Sequence, residues 1–398
     1  MDPPLRILHV TVALDPDRGG PPAVVARLAA AQAALGHQVH VLGHESPGAE
    51  ERRRRMLAEV PGIERVRIHS AGPQRDPFRE FIGAAARREV ARLLPGVDIL
   101  HLHEVWAPIV RVAAAEARRA GVPYVIAPHN SLSPPYIHQK RLKKAVAMRL
   151  GYRRMLRGAA AIHVLTRAES HAVEHLGLRT PRAIIPNGIF REEVEPLPPP
   201  GTFRAAHPEL GHGPYILFLA RLHPNKGLGL LAEAFALAVS REPLAVDAHL
   251  VVAGPDGGAR ADFESDIVRL GIADRVHLVG PLYGHDKAAA YADAAAFCLP
   301  SRLEGFSMSV LEALAAGAPV VISITCNFPE VAEARAGLVV PLDARSLADA
   351  IGRILADPAE AKAMGARGRA MVLARYTWPV IAQRSIDLYA RCVRPASP

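Results

Sequence analysis

Two glutamates with seven residues between them, Glu304 and Glu312, bracket the stretch of this chain best suited to chemistry. Glu304 and Gly305 turn the chain after an apolar, strand-like run, Phe306 and Ser307 open a helical pattern, and Glu312 lies inside it among Leu311, Ala313 and Leu314. A helix N-terminus offers free backbone N–H groups and a partial positive charge, so the amides near Phe306 and Ser307 suit a phosphate. Carboxylates accept hydrogen bonds in pairs, and the two glutamates therefore suit sugar or ribose hydroxyls at the two ends of an elongated ligand. A turn-capping Glu and an exposed helical Glu would be the plainer reading; the apolar neighbours of Glu312 argue against it.

A second cluster supplies the opposite charge. Arg221 and Lys226 follow an apolar run ending at Leu219, with Pro224 and Gly227 shaping the loop. Two cations so spaced can clamp a diphosphate from two sides without a metal ion. Near the N-terminus, Gly19 and Gly20 link a strand to a helix opened by Pro21 and Pro22, and permit close backbone approach. A dinucleotide fingerprint is absent there. Of the 18 histidines, His101 and His103 alternate along a strand and face the same way, but no third metal ligand is evident. His129 differs, standing just past the end of a strand, where a parallel sheet presents its ligands.

These residues need a scaffold, and the hydrophobic pattern describes one. Apolar runs at 5–12, 39–42, 66–69, 97–102, 122–127, 160–165 and 183–185 alternate with helical segments. After a stretch at 195–213 with five prolines and three glycines, the alternation restarts with runs at 215–219, 249–252, 276–279, 296–299 and 320–322. Such alternation predicts an α/β protein with two doubly wound parallel sheets, ligands lying at the carboxyl ends of the strands. The expected organisation is an N-terminal domain over 1–190, a linker over 191–213, a C-terminal domain over 214–375 and a final helical segment over 376–398. That last segment could cap either domain and is expected to pack back onto the first. Two such domains create a cleft, the expected place for chemistry.

Composition narrows the class. Half of the 398 residues are apolar and 22% are charged, an ordinary globular composition. No apolar run approaches the ~18–20 residues of a membrane-spanning helix, and Asp2, Pro3 and Pro4 replace the basic start of a signal peptide. Three scattered cysteines, Cys298, Cys326 and Cys392, fit a reducing cytosol. The net charge of +9 is unevenly placed: residues 1–200 hold 29 Lys+Arg and 19 Asp+Glu, leaving 19 and 20 for the remainder. The basic excess sits in the first half, in Arg52 to Arg55 and in 136–157. There Lys140, Arg141, Lys143, Lys144, Arg149, Arg153, Arg154 and Arg157 interleave with Leu142, Val146, Met148, Leu150 and Met155. An amphipathic basic stretch of this kind suits an anionic membrane surface. A nucleic-acid partner is not expected, because no helix-turn-helix, finger spacing or aromatic RNA-binding motif is present.

Taken in order along the chain, Gly19-Gly20, Gly36-His37-Gln38-Val39, Pro128-His129, Ile185-Pro186-Asn187-Gly188, Arg221 with Lys226-Gly227, Glu304 with Glu312, and Pro329-Glu330-Val331 resemble retaining glycosyltransferases of family 4. That group has the two-domain GT-B architecture, and its bacterial members build polysaccharides and lipopolysaccharides. The resemblance covers nearly the whole chain. It implies that Arg221 and Lys226 bind the donor diphosphate, that Glu312 binds the nucleotide ribose, and that Glu304, Gly305, Phe306 and Ser307 contact donor sugar and phosphate. His129 would lie beside the transferred sugar, Gly19 and Gly20 in a loop closing over phosphates and acceptor, and the loop 280–284 with Leu282 near the base. Asn130 departs from the glycine often found after that histidine, although Asn tolerates left-handed backbone angles.

The implied activity is transfer of a sugar from a nucleotide diphosphate sugar to a saccharide or lipid-linked acceptor. It would proceed with retention, without a metal or other cofactor, by a front-face route in which the departing phosphate oxygen helps accept the proton. His129, Glu304, Arg221 and Lys226 would carry the chemistry, in the cytoplasm or on the inner face of the cell membrane. A sugar phosphorylase or nucleotide-sugar epimerase of the same architecture, or a non-enzymatic basic protein binding nucleic acid or membrane, are the alternatives.

Overall fold

A computed structural model describes residues 3–73, 83–139, 141–241 and 247–393. Lys140 of the basic stretch and the last five residues of the expected C-terminal segment lie outside them. The described chain forms two compact units, residues 1–188 with 378–398, and residues 189–377.

The first unit is built on seven parallel strands: β1 (Arg6–Ala13), β2 (Gln38–Glu45), β3 (Arg67–Pro73), β4 (Ile99–His103), β5 (Tyr124–Ala127), β6 (Ala161–Val164) and β7 (Arg182–Ile184), in the order β3-β2-β1-β4-β5-β6-β7. Every residue of β1 after Arg6 and all of β4, β5 and β6 are buried. Helices cover both faces of such a sheet, so its central strands need near-continuous apolar sequence. The polar exceptions are His9, Thr11, His101, His103 and His163. His9 is the register partner of His101 across β1 and β4.

The second unit has six parallel strands, β8 (Tyr215–Leu219), β9 (His249–Ala253), β10 (Val276–Gly280), β11 (Ala296–Leu299), β12 (Val320–Ser323) and β13 (Gly337–Val340), in the order β10-β9-β8-β11-β12-β13. β13 has no counterpart among the sequence expectations. Gly337 packs so closely on β12 that a Cβ there would lie 2.2 Å from the Val320 carbonyl oxygen, so its apolar run is short and begins with a residue that disfavours strands.

The linker boundary differs from expectation. Residues 191–213 are not a linker: Val194, Phe203 and Leu210 are buried in the core of the second unit, and Asp293 accepts hydrogen bonds from the backbone of Gly201 and Phe203. Burial of Phe203 and Leu210, worth ~1.5–3 kcal/mol each, holds a segment whose proline content alone suggests a tether. The C-terminal helix Trp378–Val393 belongs to the first unit, where Gln32, on the helix Gly20–Ala34, donates to Ser385 Oγ (2.8 Å) and Tyr389 Oη (3.1 Å).

Among the described residues no helix is long and apolar enough to cross a membrane. The Arg52 to Arg55 run does not form a free basic patch. On the helix Glu50–Ala58, Arg53 pairs with Glu50 and both Arg54 and Arg55 with Glu51, while Arg52 reaches Asp17 and Asp15. The second basic stretch contrasts with it. Residues 136–157 contain no Asp or Glu, and among the described residues Arg141, Lys143, Arg149, Arg153, Arg154 and Arg157 are exposed without an ion pair. Met155 is buried, whereas Leu142, Val146 and Leu150 are 83%, 52% and 51% exposed. Leu142 and Val146 lie one turn apart on the helix Arg141–Ala147, and Leu150 lies in the kinked turn that follows it.

Candidate active site

Parallel strands place every expected site residue except Glu312, which lies inside the helix Met308–Ala316, at a carboxyl end. Gly19 and Gly20 follow β1, His129 follows β5, Arg221 and Lys226 follow β8, Leu282 follows β10, and Glu304 to Ser307 follow β11.

In the second unit, Lys226 ends a 3-10 turn (Pro224–Lys226) after which Gly227 adopts φ 75°. A Cβ at Gly227 would lie 2.1 Å from the Pro300 carbonyl oxygen, so the loop after β8 sits directly on the end of β11. The Asn225 carbonyl fixes this contact, accepting from Arg302 N (2.7 Å) and Ser301 Oγ (2.9 Å). The juxtaposition brings Lys226 Nζ to 2.5 Å from Glu304 Oε1, and the Glu304 side chain is 9% exposed. Asn327 Nδ2 donates to the Glu304 carbonyl (2.9 Å), and the Thr325 carbonyl accepts from Glu304 N (3.3 Å). Arg221 is exposed and makes no ion pair among the described residues. The pair can receive an anion: a phosphate drawn to Lys226 replaces a carboxylate already facing that cation, and Glu304 is then available to hydroxyl donors.

The helix Met308–Ala316 follows, with Ser307 Oγ accepting from Val310 N at its start. Gly305 and Phe306 are partly exposed, and the Phe306 ring packs against Phe328 and Tyr376. Glu312 has partners the sequence did not reveal, Lys287 Nζ at 2.9 Å and Tyr291 Oη at 3.2 Å, both on the helix Gly284–Asp293. The two glutamates therefore serve separate pairs. Leu282 is partly buried against the second core.

In the first unit His129 and Asn130 both have left-handed backbones, φ 49° and 64°, a conformation that persists only when its surroundings enforce it. Glu169 enforces it. This carboxylate, 1% exposed, accepts from Asn130 N through one oxygen and from Leu165 N (2.7 Å) through the other. Desolvation pushes its carboxyl up to about 6 against the lowering effect of both amide bonds. The only trace of this in the sequence is Thr166 three residues ahead, which caps the helix Arg167–Glu174.

His129 also ends a buried chain of side chains. Its Nε2 lies 3.0 Å from His103 Nδ1, His103 Nε2 lies 2.8 Å from His9 Nδ1, and His9 Nε2 lies 2.7 Å from Gln32 Oε1. Beyond Gln32 the chain runs through Tyr389 to His101 (2.7 Å), His163 (3.2 Å) and the Ile185 carbonyl (2.6 Å). Burial lowers His9 and His163 to about 4, His129 to about 3, and His101 and His103 well below the usual histidine range. His9, His101 and His103 offer ring nitrogens within 4.8 Å of one another, close enough to consider a metal. All of their ring nitrogens are already hydrogen-bonded within the chain, so a metal would have to displace existing partners.

A cavity of about 290 Å³ opens beside β1 and β4, lined by Arg18, His44, Glu104 and Trp106 among others. Glu104 has φ 68°, and burial raises its carboxyl pKa. Sequence reasoning passed over this residue, which sits one position beyond β4.

The comparisons agree along the chain. The profile of a glycosyl transferase 4-like domain matches residues 19–188 and that of glycosyl transferases group 1 matches residues 201–371. A D-inositol 3-phosphate glycosyltransferase of Frankia alni is 31% identical over 96% of this chain and 96% of its own length. A GDP-mannose-dependent alpha-(1-6)-phosphatidylinositol monomannoside mannosyltransferase of Mycolicibacterium smegmatis is 28% identical over 86% of this chain and 80% of its own. Among solved structures, a sucrose-phosphate synthase from Thermosynechococcus elongatus superposes with a TM-score of 0.76 at 23% identity, over 97% of this chain and 98% of that one. With a glycosyltransferase relative aligned over nearly its full length and both halves matched by the corresponding domains, the chain belongs to the group 1 glycosyl transferases and is a hexosyltransferase-type enzyme of GT-B architecture.

Proposed function

We propose that the chain moves a sugar from a nucleotide diphosphate sugar to a saccharide or lipid-linked acceptor, with retention of anomeric configuration and without a metal ion. The observation that carries this reading is the Lys226–Glu304 pair, 2.5 Å apart at the carboxyl end of the second sheet. Arg221 and Lys226 take the diphosphate, Glu304 and the backbone of Gly305 to Ser307 take the donor sugar and phosphate, and Glu312 takes the ribose. The loop carrying Leu282 meets the base. Local neutralisation by two cations supplies the electrostatic stabilisation that a divalent ion gives in other sugar transferases.

The C1–oxygen bond to the β-phosphate breaks while the acceptor hydroxyl attacks from the same face, its proton passing to the departing phosphate oxygen. His129 contacts the transferred sugar, and Gly19 and Gly20 lie in the loop that covers the phosphates and acceptor. The cavity bearing Glu104, Arg18 and Trp106 receives the acceptor. The two relatives, a D-inositol 3-phosphate glycosyltransferase and a phosphatidylinositol monomannoside mannosyltransferase, support a phosphorylated or lipid-linked polyol acceptor. The exposed apolar side chains of Leu142, Val146 and Leu150 among unpaired arginines support its delivery from an anionic membrane on the cytoplasmic side. Product analysis by proton NMR is the test. The anomeric coupling of the product should match that of the donor, and inversion would contradict the front-face route.

A further inference from the structure

The histidine chain has a direction, and a backbone carbonyl sets it. The Ile185 oxygen can only accept, so His163 Nε2 carries a proton (2.6 Å). With burial keeping His163 singly protonated, its Nδ1 is bare and must accept from His101 Nε2–H (3.2 Å). His101 Nδ1 is then bare and accepts the Tyr389 hydroxyl proton (2.7 Å). The Tyr389 oxygen accepts from Gln32 Nε2 (3.1 Å). Ser385 fixes the same orientation of the amide independently. Its hydroxyl proton goes to the Ala382 carbonyl (2.6 Å), so its oxygen must accept from Gln32 Nε2 (2.8 Å). Gln32 Oε1 therefore accepts from His9 Nε2–H, His9 Nδ1 accepts from His103 Nε2–H, and His103 Nδ1 accepts from His129 Nε2–H. Reversing the direction would place a second proton on a histidine that is 4% exposed.

We infer that this relay holds His129 in its Nε2–H tautomer, with Nδ1 a fixed hydrogen-bond acceptor, and that His103, His9, Gln32 and Tyr389 are positioning residues which set how His129 meets a substrate hydroxyl. His129 then orients a sugar hydroxyl by taking its hydrogen and has no proton to offer from Nδ1. This consequence for turnover rests on the proposed contact between His129 and the transferred sugar; the tautomer itself does not.

Long-range proton–nitrogen NMR on histidine-labelled protein at pH 7 reads the tautomer without any substrate. The expected spectrum shows His129 with a bare Nδ1 and a protonated Nε2. A protonated Nδ1, an imidazolium at His129, or a stoichiometric metal ion held by His9, His101 and His103 would overturn the inference. Gln32→Leu removes the acceptor at the centre of the relay, whereas Gln32→Glu retains an acceptor for His9. The first should give His129 a mixture of tautomers and lower kcat roughly tenfold, about the effect of one hydrogen bond, with donor KM little changed. The second, which keeps the acceptor for His9, should keep the His129 tautomer unmixed and kcat closer to wild type than the first, at a lower thermal midpoint because its carboxylate is buried. Should Gln32→Leu fail to fold, His103→Asn takes its place. If the relay variant folds with an unmixed His129 tautomer, the positioning role is wrong whatever the activity. A mixed tautomer with unchanged kcat removes only the sugar contact.

Discussion

Lys226 Nζ and Glu304 Oε1 lie 2.5 Å apart although 78 residues separate them in the chain. The loop after β8 and the loop after β11 meet only because β8 and β11 are neighbours in the second sheet. A buried carboxylate that loses its one cation is costly, so Lys226→Ala should lower stability by roughly 1–3 kcal/mol. It should also reduce donor turnover by on the order of 10²-fold. Adding Glu304→Gln should restore stability without restoring turnover. Thermal unfolding and steady-state donor kinetics separate the two effects.

Glu169 clamps the turn that carries His129. Glu169→Ala leaves the amides of Asn130 and Leu165 without their acceptor, an expected loss of roughly 2–4 kcal/mol for two buried N–H groups. Hydrogen exchange at Asn130 should accelerate before exchange in β5, since the strained turn is released first. Equal protection in variant and parent would show that the turn holds by itself.

Acid should destabilise the first unit. Burial lowers His9 and His163 to about 4, His129 to about 3, and His101 and His103 well below the usual histidine range. The unfolded chain, with histidines near 6.5, therefore binds more protons than the folded one as pH falls from 6.5 to 4. Stability present above pH 6.5 is lost over that window, each group contributing up to about 1.4 kcal/mol per pH unit. Glu169 opposes this, because its raised value of about 6 favours the folded state as pH falls from 6 toward 4.5, and Glu104, also raised by burial, acts in the same direction, but these are two groups against the five histidines of the relay. The thermal midpoint should drop steeply between pH 6.5 and 5; a flat profile would contradict a buried neutral relay.

The exposed apolar residues Leu142, Val146 and Leu150 should govern membrane association. Leu142→Ser with Val146→Ser is expected to reduce flotation with anionic vesicles while leaving turnover of a short soluble acceptor unchanged. Wild-type protein that fails to float at low salt would remove the membrane from the proposal.

Most of the architecture can be read from the hydrophobic pattern, because a strand buried on both faces must be a continuous apolar run. β13 escapes because close packing on β12 demands Gly337 at its start, and the stretch 191–213 misleads because Phe203 and Leu210 anchor it despite its prolines. Site residues that end strands are legible by position. Their partners are not: Lys287 and Tyr291 reach Glu312 from another helix, and Glu169 reaches Asn130 across 39 residues. The alternation of His101 and His103 is visible in the sequence, but sheet order and register bring His9 and His163 to them.

Calorimetric titration of the protein with a panel of nucleotide diphosphate sugars tests the central claim most directly. At least one should bind without added metal, and Lys226→Ala with Glu304→Gln should weaken that binding at least about tenfold, the loss of one charge-assisted contact. Folded wild-type protein that binds no nucleotide sugar, or a Lys226 variant that binds as tightly as the parent, would contradict the account.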